Sequence, residues 1–240
     1  MLKLRNLNYN HMKPSNLIIF AIIGVIVGYL LGWTVFSTPT GTTAQEYPTS
    51  TFGTTTPNTI ELTESSLKLI VEMRRLWADQ VMWTRSSIVA IHNDLADRDQ
   101  VATRLLKNSD DIGELIAPFY GSEDTTNFNS LFKNHLATTL ELAVAAKAGD
   151  ETKMNDVEKR LNQNVDELIS AISTGNRSLN KEELRTMLYD YNRLIKEDVT
   201  AHFSNSYETE ISTFDRLHDQ AMIIADVFST GILKQSPEKF

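Results

Sequence analysis

One stretch of the sequence limits every fold the chain can adopt. Leu17 to Phe36 reads LIIFAIIGVIVGYLLGWTVF, 20 residues with no charge and one aliphatic hydroxyl, Thr34. As an α-helix it spans about 30 Å, the thickness of a bilayer's hydrocarbon core. Tyr29 and Trp33 fall near one end, where amphipathic rings favour the interface. Lys3, Arg5 and Lys13 precede the run, and the first charge after it is Glu46. The positive-inside rule then puts residues 1–16 in the cytoplasm, residues 17–36 across the cell membrane and the remainder outside, as a single-pass protein. A cleaved signal peptide competes with this reading, Thr42-Thr43-Ala44 being a loose small-residue cleavage site. Signal h-regions, however, run to about 7–15 residues, so a retained anchor is favoured. Both readings export the rest of the chain. Gly24, Gly28 and Gly32 recur every fourth residue, a face on which two such helices can approach closely. That face is a candidate homodimer contact, and the lipid bilayer is the first expected partner.

Charge divides along the same line. Residues 1–36 hold three basic side chains and no acid; the rest hold the other 20 basic and all 31 acidic ones. An acidic body repels polyphosphate, so nucleic acid is not an expected partner. The chain has no Cys, which excludes disulfide scaffolds, thiolate metal sites and Cys nucleophiles. Residues 37–59 read STPTGTTAQEYPTSTFGTTTPNT, with ten Thr, two Ser and three Pro. With no apolar period there is nothing to bury against the entropy of ordering, so the segment reads as an extended stalk. Such stalks are often O-glycosylated outside cells, though an unmodified spacer fits equally. One N-glycosylation sequon, Asn176-Arg177-Ser178, falls in an expected loop.

From residue 60 to 233 the apolar spacing is helical throughout. A first helix is expected over about 63–95, with Ile70, Met73, Trp77, Val81, Thr84, Ile88, Ile91 and Leu95 on one face. A second should start near Asp97 or Asp99 and stop at Pro118. A third covers about 124–148, with Phe128, Leu131, Phe132, His135, Thr139 and Leu142 inward. Asp150 should cap a fourth, with Val157, Leu161, Asn164, Leu168 and Ile172 inward, and Asn180 a fifth, with Leu184, Leu188, Tyr191, Ile195 and His202 inward. A sixth spans about 206–230, with Ile211, Phe214, His218, Ala221, Ala225 and Phe228 inward and Gly231 as its stop. Six helices on short connections imply an all-α, up-and-down antiparallel bundle, with residues 234–240 as a tail.

Polar residues on these apolar stripes are the candidates for function. His135, Asn164 and His218 each interrupt a core face, and Asp215 lies one turn before His218. Arg104, Asn108 and Asp111 share a face of the second helix. Buried polar groups need partners, so these residues should meet in a polar layer. Three readings follow. One is a structural network fixing helix register, with Arg104 paired to Asp111. A second is a metal site from His135 and His218 with Asp215 or Asp111, although the Glu-x-x-His pairs of di-iron bundles are missing. A third is a pocket for a small polar or anionic ligand, anchored by Arg104 and Arg85 and walled by Trp83, Trp77 or Tyr120. No P-loop, dinucleotide loop, nucleophile elbow or HExxH occurs, and no cofactor is expected. His92 and the run Tyr207-Glu208-Thr209-Glu210 read as solvated.

Several short patterns together resemble a known family. They are Leu76-Trp77, Gln80 and Trp83-Thr84-Arg85; Arg104, Asn108, Asp111 and Gly113; Phe119-Tyr120-Gly121; Gly149-Asp150; and Asp215, His218, Gln220 and Asp226. In combination they resemble uncharacterised all-helical proteins of bacteria, archaea and some large viruses. The resemblance covers about residues 70–232 and implies a helical domain with no activity to carry over. It also implies a frequent His where this chain has Gln80, which counts against a metal site needing a third His. The expected function is thus a membrane-anchored, extracytoplasmic binding or interaction module. A metal-binding protein or metal-dependent enzyme is the alternative, and a structural spacer a third.

Overall fold

The computed structural model describes residues 62–240. The expected anchor, its glycine face at Gly24, Gly28 and Gly32, and the stalk all lie outside the described residues. Within them stand six α-helices and no strand: α1 Glu64–His92, α2 Arg98–Tyr120, α3 Ser122–Lys147, α4 Glu151–Gly175, α5 Lys181–Phe203 and α6 Tyr207–Gln235. A 3-10 turn, Pro237–Lys239, follows. No helix among the described residues is long and apolar enough to cross a membrane.

The helix starts follow from short polar side chains that satisfy free N–H groups. Thr63 caps α1 by accepting from Ser66 N at 3.1 Å. Asp150 caps α4 by accepting from Lys153 N at 2.9 Å. Asn180 caps α5 with bonds from Glu182 N and Glu183 N. The stops differ from expectation in three places. α1 ends at His92, so Leu95 leaves the stripe and is 44% exposed. α2 runs through Pro118 to Gly121, whose φ of 80° turns the chain. In the last turn a proline forfeits only one helical bond. α6 passes Gly231 and ends at Gln235. Gly231 is no stop: a Cβ there would collide with the Leu179 side chain of the α4–α5 connection. The sequon is closed as well. Asn176 is fully buried, its Nδ2 donates to Tyr120 Oη at 2.9 Å, and its Oδ1 accepts from Ser178 N.

Each helix packs on its sequence neighbours, and α6 closes the ring against α1. The short turns make α1, α3 and α5 run one way and α2, α4 and α6 the other; α3 also touches α1 and α5. At mid-bundle the Trp77 ring meets Phe132, Tyr191 and Phe228 at centroid distances of 5.8, 6.0 and 6.1 Å. One apolar core contains these rings and draws on all six helices. One pole gathers the start of α1, the α2–α3 corner and the C-terminal turn. There Ser65 Oγ donates to the Phe240 carbonyl at 3.5 Å, and Phe240 stacks on Phe119 at 5.3 Å. The other pole gathers the end of α1, the α3–α4 turn and the α5–α6 turn.

Candidate functional site

The polar groups on the core stripes do not form one layer. His135 is buried on α3, and its Nδ1 lies 3.0 Å from Asn164 Oδ1. That amide oxygen only accepts, so the ring donates from Nδ1. Asn164 Nδ2 donates in turn to Leu131 O at 3.1 Å, which ties α4 to α3. Burial outweighs the Asn164 bond and lowers the His135 pKa to about 4. His135 is therefore a neutral core residue. A second buried set joins α1 to α5: Tyr191 Oη donates to Gln80 Oε1 at 2.5 Å, and Gln80 Nε2 donates to Thr84 Oγ1 at 3.2 Å. Burial raises the Tyr191 pKa, so the phenol keeps its proton.

The α2 candidates sit at the α1–α2 seam. Asn108 is buried and donates to Leu76 O at 3.2 Å. Arg104 pairs with Asp111 at 3.2 Å, Lys107 joins the same carboxylate, and the guanidinium lies 5.4 Å above the Trp83 ring. Arg85 points the other way, toward α6. Trp77 is in the core and Tyr120 stands at the far pole, so Arg85 and Arg104 do not share the expected walls.

The sixth stripe is rotated by one residue over its first half only, Ala221, Ala225 and Phe228 being buried as expected. Glu210, Thr213, Leu217, Ala221, Ile224 and Phe228 face inward, while Ile211 is 57% exposed. Asp215 is consequently exposed and His218 only half-buried. The two do not reach His135, and among the described residues no three His, Asp or Glu side chains are grouped to hold a metal. The expected stripe followed Ile211 as the apolar anchor, whereas the residue actually drawn inside is an acid.

That acid belongs to a cluster at the pole opposite residue 62, which the expected sites missed apart from Arg85. Glu210, in the first turn of α6, is 2% exposed. Its Oε1 lies 2.7 Å from Arg85 Nη2 on α1 and 3.0 Å from His202 Nδ1 on α5. Asp198, one turn before His202 on α5, is also 2% exposed. Asp198 Oδ1 and His202 Nε2 are buried without a hydrogen-bond partner, as is Arg85 Nη1. Desolvation raises the Asp198 pKa to about 6; Glu210 adds to the rise, and Arg85 and His202 oppose it. The Arg85 guanidinium also stands 4.9 Å over the Phe214 ring. His92, expected in solvent, ends α1 with its ring 4.7 Å from His202 and 4.8 Å from Phe203. The signal was present in the sequence: Asp198 falls three residues after Ile195 and seven after Tyr191, on the inward face of α5.

Comparison with known proteins finds no family model, curated protein or solved structure that matches this chain.

Proposed function

We propose that the chain is a membrane-anchored, extracytoplasmic interaction module that works without catalysis. Residues 17–36 would hold it in the bilayer and residues 37–59 would space the bundle from it. The observation that carries the reading is the mixture of exposed apolar and charged side chains at the pole opposite residue 62. At the pole where residue 62 enters, the chain's own end packs through Ser65, Phe119, Lys239 and Phe240, while Leu62 and Leu67 stay 64% and 45% exposed. The opposite pole presents Leu95 and Tyr207 and, in the first turn of α6, Ile211, with 44%, 55% and 57% exposure. These lie beside His92, Phe203 and the Arg85–Glu210 pair. Exposed apolar side chains beside charged groups suit a protein contact.

Two measurements test this. A tag at the C-terminus of the full chain should stay with membranes after carbonate washing and be lost when intact cells are treated with protease. A photo-crosslinking residue at Tyr207 should give discrete adducts on those cells, and one at the exposed, polar Glu182 of the other pole should not. A soluble or protease-protected tag, or equal labelling from both positions, would overturn the proposal.

A further inference from the structure

We propose that Arg85, Asp198, His202 and Glu210 form a proton-binding latch, in which uptake of one proton fastens the α5–α6 turn to the end of α1. This inference does not depend on the membrane reading. It rests on a buried carboxylate and a buried ring nitrogen that have no hydrogen-bond partner within one polar cluster.

An ionised Glu210 only accepts, so His202 donates to it from Nδ1. His202 Nε2 is left without a partner. Asp198 Oδ1 is likewise an acceptor without a donor. Two carboxylates, Asp198 and Glu210, are thus buried here with Arg85 as their one permanent cation. One proton from solvent on Asp198 neutralises the buried carboxylate that no donor satisfies and makes it a donor itself.

The surrounding groups leave this role to the cluster. On α3, Lys147 is occupied by Ile91 O and Asp94. On α1, His92 meets His202 ring to ring. On α5, Lys196 turns to Glu158 of α4, and Glu197 turns to Arg193 and Arg216. Arg85, His202 and Glu210 are the charged groups acting on Asp198. The latch holds the first turn of α6, since Glu210 is the side chain through which that turn reaches both α1 and α5. An opening that exposes Asp198 returns its carboxyl to the ordinary value of 3.8, and the proton leaves. Acid therefore closes the turn and neutral pH loosens it.

Amide hydrogen exchange on the full chain in detergent micelles tests the latch. With Asp198 titrating at about 6, protection of peptides covering residues 196–214 should be about tenfold higher at pH 5 than at pH 7.5, after correction for intrinsic exchange. Peptides from α3 should show no such rise. Asp198→Asn, which mimics the protonated carboxyl in shape and charge, should remove the difference and raise protection at pH 7.5. Flat or falling protection at residues 196–214, an equal rise in α3, or an unaltered pH response in Asp198→Asn would overturn the proposal. Carbon-13 titration of the wild-type chain needs no variant. An Asp198 carboxyl midpoint near 6 supports the latch, and one in the usual aspartate range overturns it.

Discussion

His135 and Asp198 should pull the stability of the bundle in opposite directions as pH falls, and the two effects should nearly cancel. His135 has an ordinary pKa of 6.5 and holds about 4 in the fold, because burial disfavours the charged ring. Between these values the unfolded chain binds the proton and the folded one refuses it. Its contribution is fully present above pH 6.5 and is lost as pH falls through 4. The difference corresponds to about 3 kcal/mol at 1.36 kcal/mol per pKa unit. Asp198 runs the other way, from an ordinary 3.8 to about 6 in the fold. Its contribution is fully present below pH 3.8 and is lost as pH rises through 6, again about 3 kcal/mol. The wild type should therefore change little between pH 6.5 and 4. His135→Gln keeps a donor for Asn164 and cannot titrate there, so it should gain about 2 kcal/mol on acidification over that window. Asp198→Asn should lose about as much, and the double variant should be flat. The assay is urea unfolding of segment 58–240, which holds the whole core, followed by the fluorescence of buried Trp77. If His135→Gln shows the same slope as the wild type, His135 does not sit neutral in the fold and the reasoning fails.

Three further outcomes follow from the packing. Gly231→Ala must push Leu179 aside where α6 meets the α4–α5 connection, and a lowered melting temperature equivalent to about 1–3 kcal/mol is expected. Asn176 should carry no glycan on folded protein made in a glycosylating host, since its amide is bonded inside; intact mass after glycosidase treatment reads this directly. Arg104→Ala removes a part-exposed ion pair and the contact over Trp83, so denaturant unfolding should show a loss of only about 1 kcal/mol.

The helices were legible because their signals are local. Thr63, Asp150 and Asn180 stand where a free N–H group needs an acceptor, and the three-and-four spacing of α1, α3, α4 and α5 matches the buried faces. The start of α6 was misread because Ile211 and Glu210 differ by about 100° of rotation, and hydropathy alone favours Ile211 inward. Only the presence of Arg85 and His202 on other helices makes burial of Glu210 affordable, and that is information from residues far along the chain. Gly231 misled for the same reason: its neighbour Leu179 is distant in sequence. The polar candidates on α2 proved to be a pair at the seam, because Arg104 finds Asp111 within its own helix.

The ring of six helices brings the first and last described residues to a single pole, with Ser65 and Phe240 in hydrogen-bonding contact. Every pairing except α6 on α1 joins helices that are near in sequence or separated by one helix, so most contacts close short loops. A chain that instead began at Gly149 and joined residue 240 to residue 62 through a few glycines would keep every helix pairing. It would turn the one distant closure into a local one and make the α3–α4 and α3–α5 pairings the distant ones. The order in which the ring shuts is thus set by where the chain is cut, while the finished ring stays the same.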